Sequence, residues 1–361
     1  MRIPDTIHQP ILVCSFIGYK NYYVPIGANS EEALTISMQR NVISLQEVII
    51  RYKDPVTLLN ETMSRIPENY LSEPSGVTAY YREKVTKDDR CMIFSEAVVE
   101  ISKSAYSGNK SADRLRVLKA RKISNIVLED TVVMKIRSGA NTTLQLDIIK
   151  NPPDFLSPDF MIAYNLSFSN VVMYKDRLVY VISFSQKEGI SEPLFRGDLY
   201  IDRGSLAIIA ADFEYDPVLL RQDPEMFVAK KSSRLKVVPL NASYHVEYAQ
   251  LNNIYHLSQV QGNLNFKVRK RREWIASRYH VSIEMAVTDV RPGLPPEIRY
   301  NEQMKPSTIL SDEEFSYDPE FWGDYTTITP EAKLEDALQN IEKSLLEISE
   351  QVISIPAPGL N

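Results

Sequence analysis

Cysteine and glycine are scarce in this chain, at 2 and 12 among 361 residues. Two cysteines cannot make a disulfide framework. Neither Cys14 nor Cys91 stands in a Cys-x-x-Cys pair or at zinc spacing from a histidine. Two free thiols are expected, with a Cys14–Cys91 bridge as the alternative. The low glycine content, with 21 prolines, excludes collagen-like and low-complexity classes. A helix that spans a membrane needs about 20 apolar residues, and the longest apolar run, 11–17, is interrupted by Cys14 and Ser15. The opening residues lack the charged-then-apolar pattern of a leader. An excess of positive charge is also lacking. The formal net charge is −6, which argues against a nucleic-acid binder. Gly-x-Gly-x-x-Gly, P-loop, Gly-x-Ser-x-Gly and His-Glu-x-x-His motifs are all absent. No catalytic residue, cofactor or metal is therefore expected.

What is present is ordered-protein composition, 44% apolar and 24% charged, in a chain long enough for two unequal domains. Tyrosine is abundant at 20 and favours strands. Residues 10–17, 19–25, 34–38 and 45–50 read as four strands, part of a β-sandwich that normally needs about seven. Asp54 and Pro55 open a helix in which Val56, Leu59, Met63 and Ile66 recur at helical spacing, with Pro67 as its stop. From 77 to about 290 the pattern is period two. Leu178, Tyr180, Ile182 and Phe184 share one face. So do Ile93, Ala97, Val99 and Ile101, with Ser95 as the polar exception. The final strand places Ile275, Tyr279, Val281, Ile283, Met285 and Val287 together. Asp202-Arg203-Gly204 forms a hairpin turn in which Gly204 supplies the positive φ, and Asn252-Asn253 forms another. Long strands joined by tight turns make a curved antiparallel meander with one buried face. Its apolar cover is expected to be a C-terminal helix, capped by Thr329 and Pro330. That helix carries a stripe of Leu334, Ala337, Leu338, Ile341, Leu345 and Ile348. It either packs as core or swings away to open a groove.

Several constellations bear on function. His245, His256 and His280 lie on neighbouring strands, with Glu247 and Glu284 sharing their faces, but without local ligand spacing they read as ordinary strand residues. Lys267, Arg269, Lys270, Arg271 and Arg272 are five cations within six residues at a hairpin tip. They read either as a solvated turn that discourages edge pairing or as a contact for an anionic, phosphate-bearing partner. The basic stretch 114–122 reads as a solvated connector. Phe315, Tyr317, Phe321, Trp322 and Tyr325 read as a packed loop before the helix, with ligand stacking as the other reading.

Seven stretches, spread over nearly the whole chain, carry a family likeness: Ser15-Phe-Ile-Gly-Tyr-Lys20, Leu45-Gln-Glu-Val-Ile-Ile50, Ala79-Tyr-Tyr-Arg-Glu83, Ser95-Glu-Ala-Val-Val-Glu100, Leu146-Asp-Ile-Ile-Lys-Asn151, Gly197-Asp-Leu-Tyr-Ile-Asp202 and Phe321-Trp-Gly-Asp-Tyr325. In them the chain resembles the carboxypeptidase-like regulatory domain-containing envelope proteins of Bacteroides-type bacteria. The resemblance implies the last strands of a transthyretin-like sandwich. That module is non-catalytic and stands at the front of many TonB-dependent outer-membrane receptors. It also implies a location in the periplasm or at the outer membrane, and a start lacking the family's signal peptide and opening strands. The larger part is similar to the half-barrel of lipoprotein-localisation carriers, a likeness of fold alone.

The expected fold is mainly β (α+β). A partial sandwich occupies 1–52 and a linker helix 53–74. A large curved antiparallel sheet, a half-barrel, follows over 75–325, and a C-terminal amphipathic helix over 326–354. The expected function is a non-enzymatic cell-envelope binding or scaffold protein, associated with TonB-dependent uptake. The alternative is a lipid or lipoprotein carrier using the concave face of the sheet. A carrier should hold an apolar cavity of several hundred Å³ under the sheet; a scaffold should have that space filled. The expected partner is an envelope protein or a lipid, with no nucleic acid and at most peripheral membrane contact.

Overall fold

Alternating apolar and polar residues become one broad sheet. The computed structural model describes residues 11–14, 19–25, 35–40, 42–43, 54–108, 111–124, 134–136, 139–174, 177–221, 228–231 and 235–305. Outside them lie the strand expected at 45–50, the aromatic cluster at 315–325 and the C-terminal helix with its stripe. The first strands are β1 (Ile11–Cys14) and β2 (Tyr22–Pro25), which form a separate antiparallel pair, and β3 (Val42–Ile43). Residues 35–39 are irregular where an alternating strand is expected. Next come β4 (Ser75–Lys87), β5 (Arg90–Lys103), β6 (Arg114–Ser124) and β7 (Met134–Ile136). They are followed by β8 (Tyr164–Tyr174), β9 (Arg177–Gln186), β10 (Phe195–Asp202), β11 (Ile208–Tyr215) and β12 (Val228–Lys231). The last three are β13 (Leu235–Leu251), β14 (Ile254–Lys270) and β15 (Ser277–Pro292).

Eleven strands make one antiparallel sheet in the order β3-β8-β9-β10-β11-β13-β14-β15-β4-β5-β6. β3 and β6 stand at opposite ends of that order, so the sheet is open: a half-barrel. The front segment contributes its rim strand, β3, beside β8. The other rim is β6, with Arg114, Arg116, Lys119, Arg121 and Lys122 on it. The basic stretch read as a connector is thus an edge strand, because period-two pairing with β5 runs from Ser102↔Arg114 to Ile93↔Ser124. Bulges interrupt several ladders, including Pro239/Asn241 in β13, where a proline is tolerated inside a sheet.

Tight turns join the strands. Asn252 and Asn253 have φ of 53° and 65°, and Asp88 and Asp89 have 47° and 66°, the left-handed pairs of two-residue hairpins. The turn after β10 departs from expectation, since Leu206 rather than Gly204 takes positive φ (60°). The buried Asp202 carboxylate accepts from the backbone N–H groups of Gly204 (3.0 Å) and Ser205 (2.7 Å), which holds the first part of the turn right-handed. Ile275 also departs: it lies in the β14–β15 turn and is 84% exposed.

One face of the sheet is apolar. Tyr180, Ile182, Phe184, Val281, Ile283 and Met285 on it are buried, each contributing roughly 1.5–3 kcal/mol by leaving water. Gly197 and Gly262 lie in the same rows. A Cβ at Gly197 would sit 2.0 Å from the Asp212 carbonyl oxygen, so only glycine allows that approach. Short helices cover this face: α1 (Pro55–Ser64), α2 (Ile66–Asn69), α3 (Ala140–Gln145) and two 3-10 turns, Asp154–Leu156 and Met161–Ala163. Asp54 caps α1, accepting from the Thr57 N–H at 2.8 Å. Leu58, Leu59 and Thr62 face inward, while Val56 turns outward.

Candidate functional site

The histidines do not converge. Among the described residues no three His, Cys, Asp or Glu side chains could share a metal ion. His256 Nδ1 lies 2.9 Å from the Leu257 carbonyl and His280 Nδ1 lies 3.0 Å from Asn265 Oδ1. Burial pushes both rings below the ordinary histidine value. Cys14 and Cys91 are free thiols.

His245 belongs to a different feature, a polar row across the sheet. Register aligns Ser167, Ser183, Asp198, Asp212, His245, Gln261, Glu284, Arg82, Glu96 and Arg121 on ten successive strands. The buried Glu96 accepts from Arg82 (2.9 Å) and pairs with Arg121 (2.7 Å). A groove of about 540 Å³ lies over the other half, with Asp198, Asp212, Glu214, His245 and Asn263 among its lining residues. His245 Nδ1 is 2.6 Å from Asp212, and Nε2 is 4.0 Å from Glu247, which also accepts from Tyr174. Burial opposes charge on this ring, but the hydrogen bonds and fields of Asp212 and Glu247 outweigh it and raise the value to about 9. At neutral pH the ring is a held cation and no base. Because its folded value is raised above 6.5, its stabilisation is complete below that pH and is lost as pH rises through about 9. Asp212→Asn should bring the ring titration back toward the ordinary value. Proton NMR of the imidazole checks this, and an unmoved titration would refute the coupling.

A buried ionic cluster pins the cover to the sheet, and sequence reasoning missed its role. Asp147 lies just beyond α3, in the Leu146-Asp-Ile-Ile-Lys-Asn151 stretch, and is fully buried. It accepts from Lys103 Nζ (2.7 Å), Tyr106 Oη (2.9 Å) and Tyr248 Oη (2.8 Å). Lys103 also reaches Asp113 at 3.1 Å, and Lys150 donates to the Ala105 carbonyl at 2.9 Å and to Ser104. Burial works against charge on Lys103, but the Asp147 carboxylate prevails and holds the ammonium protonated. Two charges, Asp147 and Lys150, within the run Leu146-Asp-Ile-Ile-Lys-Asn151 were the available signal; their pairing with Lys103 and Asp113 is tertiary.

Under the middle of the sheet the described residues pack closely. Between Leu71, Val77, Ile101, Leu144, Leu257 and Met285 only about 10 Å³ remains. The several-hundred-Å³ cavity expected of a carrier is not found there among the described residues. A cleft of about 350 Å³ with mixed polar and apolar walls opens instead at the edge of the cover, lined by Val56, Asn60, Pro158, Met161, Ile162, Tyr164, Leu166 and Lys187. Leu166 pairs with Phe184 on the apolar face, so the cleft continues the core surface outward. Ile162 and Phe160, beside it, are exposed at 79% and 56%.

The basic hairpin stands apart from both grooves. Lys267, Arg271 and Arg272 are exposed, and Arg269 and Lys270 are half-buried. Lys270 pairs with Glu273 at 3.4 Å.

No family model and no curated protein matches the chain. Among solved structures it is similar to a DUF1329 family protein from Desulfovibrio piger. The identity is 12%, over 68% of this chain and 96% of that one, with a TM-score of 0.31. It is also similar to a LolA superfamily protein from Nitrosomonas europaea. There the identity is 8%, over 69% of this chain and 97% of that one, with a TM-score of 0.23. At these scores neither likeness bears on function. Among the described residues no helix is long and apolar enough to cross a membrane.

Proposed function

We propose that this protein is a non-catalytic carrier of lipid or lipoprotein, and that it takes an acyl chain at the edge of its open sheet. The observation that carries this reading is the cleft between α1, the 158–162 segment and β8, where Val56, Met161, Ile162 and Leu166 give an apolar stretch beside the polar Asn60 and Lys187. Its volume of about 350 Å³ falls within the roughly 300–1,000 Å³ of small-molecule sites. Its walls run from buried Met161 and Tyr164 to exposed Ile162, and Lys187 stands at the rim to meet a carboxylate or phosphate head. The resemblance of the sequence to envelope proteins supports a periplasmic or outer-membrane-associated location.

The test is titration of the delipidated protein with a fluorescent fatty acid. Saturable binding is expected. Leu166→Glu, which places a charge in this apolar stretch, should weaken it at least tenfold, since burying an unpaired carboxylate costs more than about 1.4 kcal/mol. Ile162→Glu, at a position that contributes little to the fold, should weaken it less. Absence of saturable binding, or binding indifferent to Leu166→Glu, would sink the proposal.

A second reading, an envelope scaffold beside a TonB-dependent uptake system, is favoured by the close packing of Leu71, Ile101, Leu144 and Met285 and by the 540 Å³ groove on the other face of the sheet. Native mass spectrometry separates the two: a co-purifying acyl species supports the carrier, and a protein complex without one supports the scaffold.

A further inference from the structure

We propose that the β14–β15 hairpin tip docks the protein on an anionic lipid bilayer, with Trp274 and Ile275 entering the interface and the neighbouring cations gripping lipid phosphates. Trp274 is 95% exposed and Ile275 is 84% exposed, adjacent in sequence at the apex of the arm. Water gains nothing from a bare indole and a bare isoleucine side by side, whereas the headgroup layer accepts both, tryptophan above all.

The charge beside them is predominantly positive. Lys267, Arg269, Lys270, Arg271 and Arg272 precede the apex, against Glu273, which pairs with Lys270, and Asp88 of the β4–β5 turn, which accepts from the Arg278 N–H at 2.8 Å. Cross-strand pairing adds Lys236 opposite Arg269 and Arg278 opposite Lys267. The whole chain is −6, so this tip is opposite in sign to the molecule that carries it. A nucleic acid would meet the net repulsion of the chain and has no apolar phase for Ile275; an anionic bilayer satisfies both halves of the tip.

The tip runs past its neighbours. β11 pairs with β13 only as far as Ser243, and on the other flank β15 pairs with β4 as far as Tyr279↔Lys87, whereas β13 and β14 remain paired to Leu235↔Lys270. The starts of β8 at Tyr164 and β10 at Phe195 lie at the same end of the sheet as Lys270, so the cleft and the tip share one end. The docking proposal stands whether or not that cleft takes an acyl chain.

The experiment is co-sedimentation of the full chain with phosphatidylcholine vesicles and with vesicles that also contain phosphatidylglycerol. Trp274 emission is followed in a Trp322→Phe background, since the chain has two tryptophans. Expected are binding to the phosphatidylglycerol vesicles alone, weakening with salt, and a blue shift of Trp274. The double variant R271Q/R272Q should lose about thirty-fold in partitioning, at roughly fivefold per cation. Trp274→Ser should lose binding while keeping the same circular dichroism, because the side chain packs against almost nothing. Equal binding to neutral vesicles, undiminished binding by R271Q/R272Q, or sedimentation without a blue shift would each overturn the proposal. The last outcome would indicate a purely ionic contact with some other anionic surface.

Discussion

Asp147→Ala is expected to destabilise the protein by about 3–5 kcal/mol, the range for removing one partner of a buried ion pair. Asp147 is fully buried and takes hydrogen bonds from Lys103, Tyr106 and Tyr248, which belong to β5, the segment after it and β13. The alanine takes the nearer of two carboxylates from the buried Lys103 ammonium, leaving Asp113 at 3.1 Å, and removes the acceptor of two phenol hydroxyls. The double variant Lys103→Met/Asp147→Leu should recover part of the loss, because the ammonium leaves with its carboxylate and Asp113 keeps the Ser104 N–H and Lys150. Urea denaturation midpoints at unchanged slope measure both. A single-variant loss below about 1 kcal/mol would show that water reaches the carboxylate, since that is the worth of an exposed pair.

Phe155→Ala should cost a similar amount, about 3–5 kcal/mol, by leaving a cavity under the sheet. Phe155 is fully buried, stacks on Phe184 at 4.1 Å and meets Phe213 and Phe195 at 5.6 and 5.9 Å. It is also the plug that fixes the segment leading to Met161 and Ile162. Loss of this ring is therefore expected to speed amide hydrogen exchange across 154–163 more than in β13 or β14. Uniform acceleration would mean that the ring supports the domain as a whole and does not anchor that segment.

The sheet was legible because a half-buried strand advertises itself by alternation. Leu178 to Phe184 and Tyr279 to Met285 face as their period requires, and Asn252-Asn253 and Asp54-Pro55 punctuate where turn and cap chemistry demands. Periodicity does not report where a strand stops, which is why Ile275 was assigned inward although it sits in a turn. Nor does it report which segment covers a sheet. Among the described residues α1 to α3 and the 3-10 turns do so, and their short lengths give weak patterns; the C-terminal helix expected there lies outside those residues. The candidate cleft was not visible because its walls come from α1, the 158–162 segment and β8, brought together only by folding. The Asp147 cluster was not visible for the same reason, since Lys103 and Asp147 are 44 residues apart. The basic run at 267–272 was plain in the sequence, but the exposure of its neighbour Trp274 was not.

A sheet that never closes keeps two unfinished rims. One of them, β3, is two residues long, too brief to template another chain. The other, β6, carries a file of arginines and lysines along its edge; its Leu115 carbonyl already accepts from the Met304 N–H, and Arg116 and Arg121 pair with Glu100 and Glu96. A second molecule laid against that rim would bring its own file to within about 5 Å, the spacing of neighbouring strands. Growth into fibres by strand addition is thus opposed by mutual repulsion, and the opposition fades as added electrolyte shortens the Debye length below about 10 Å.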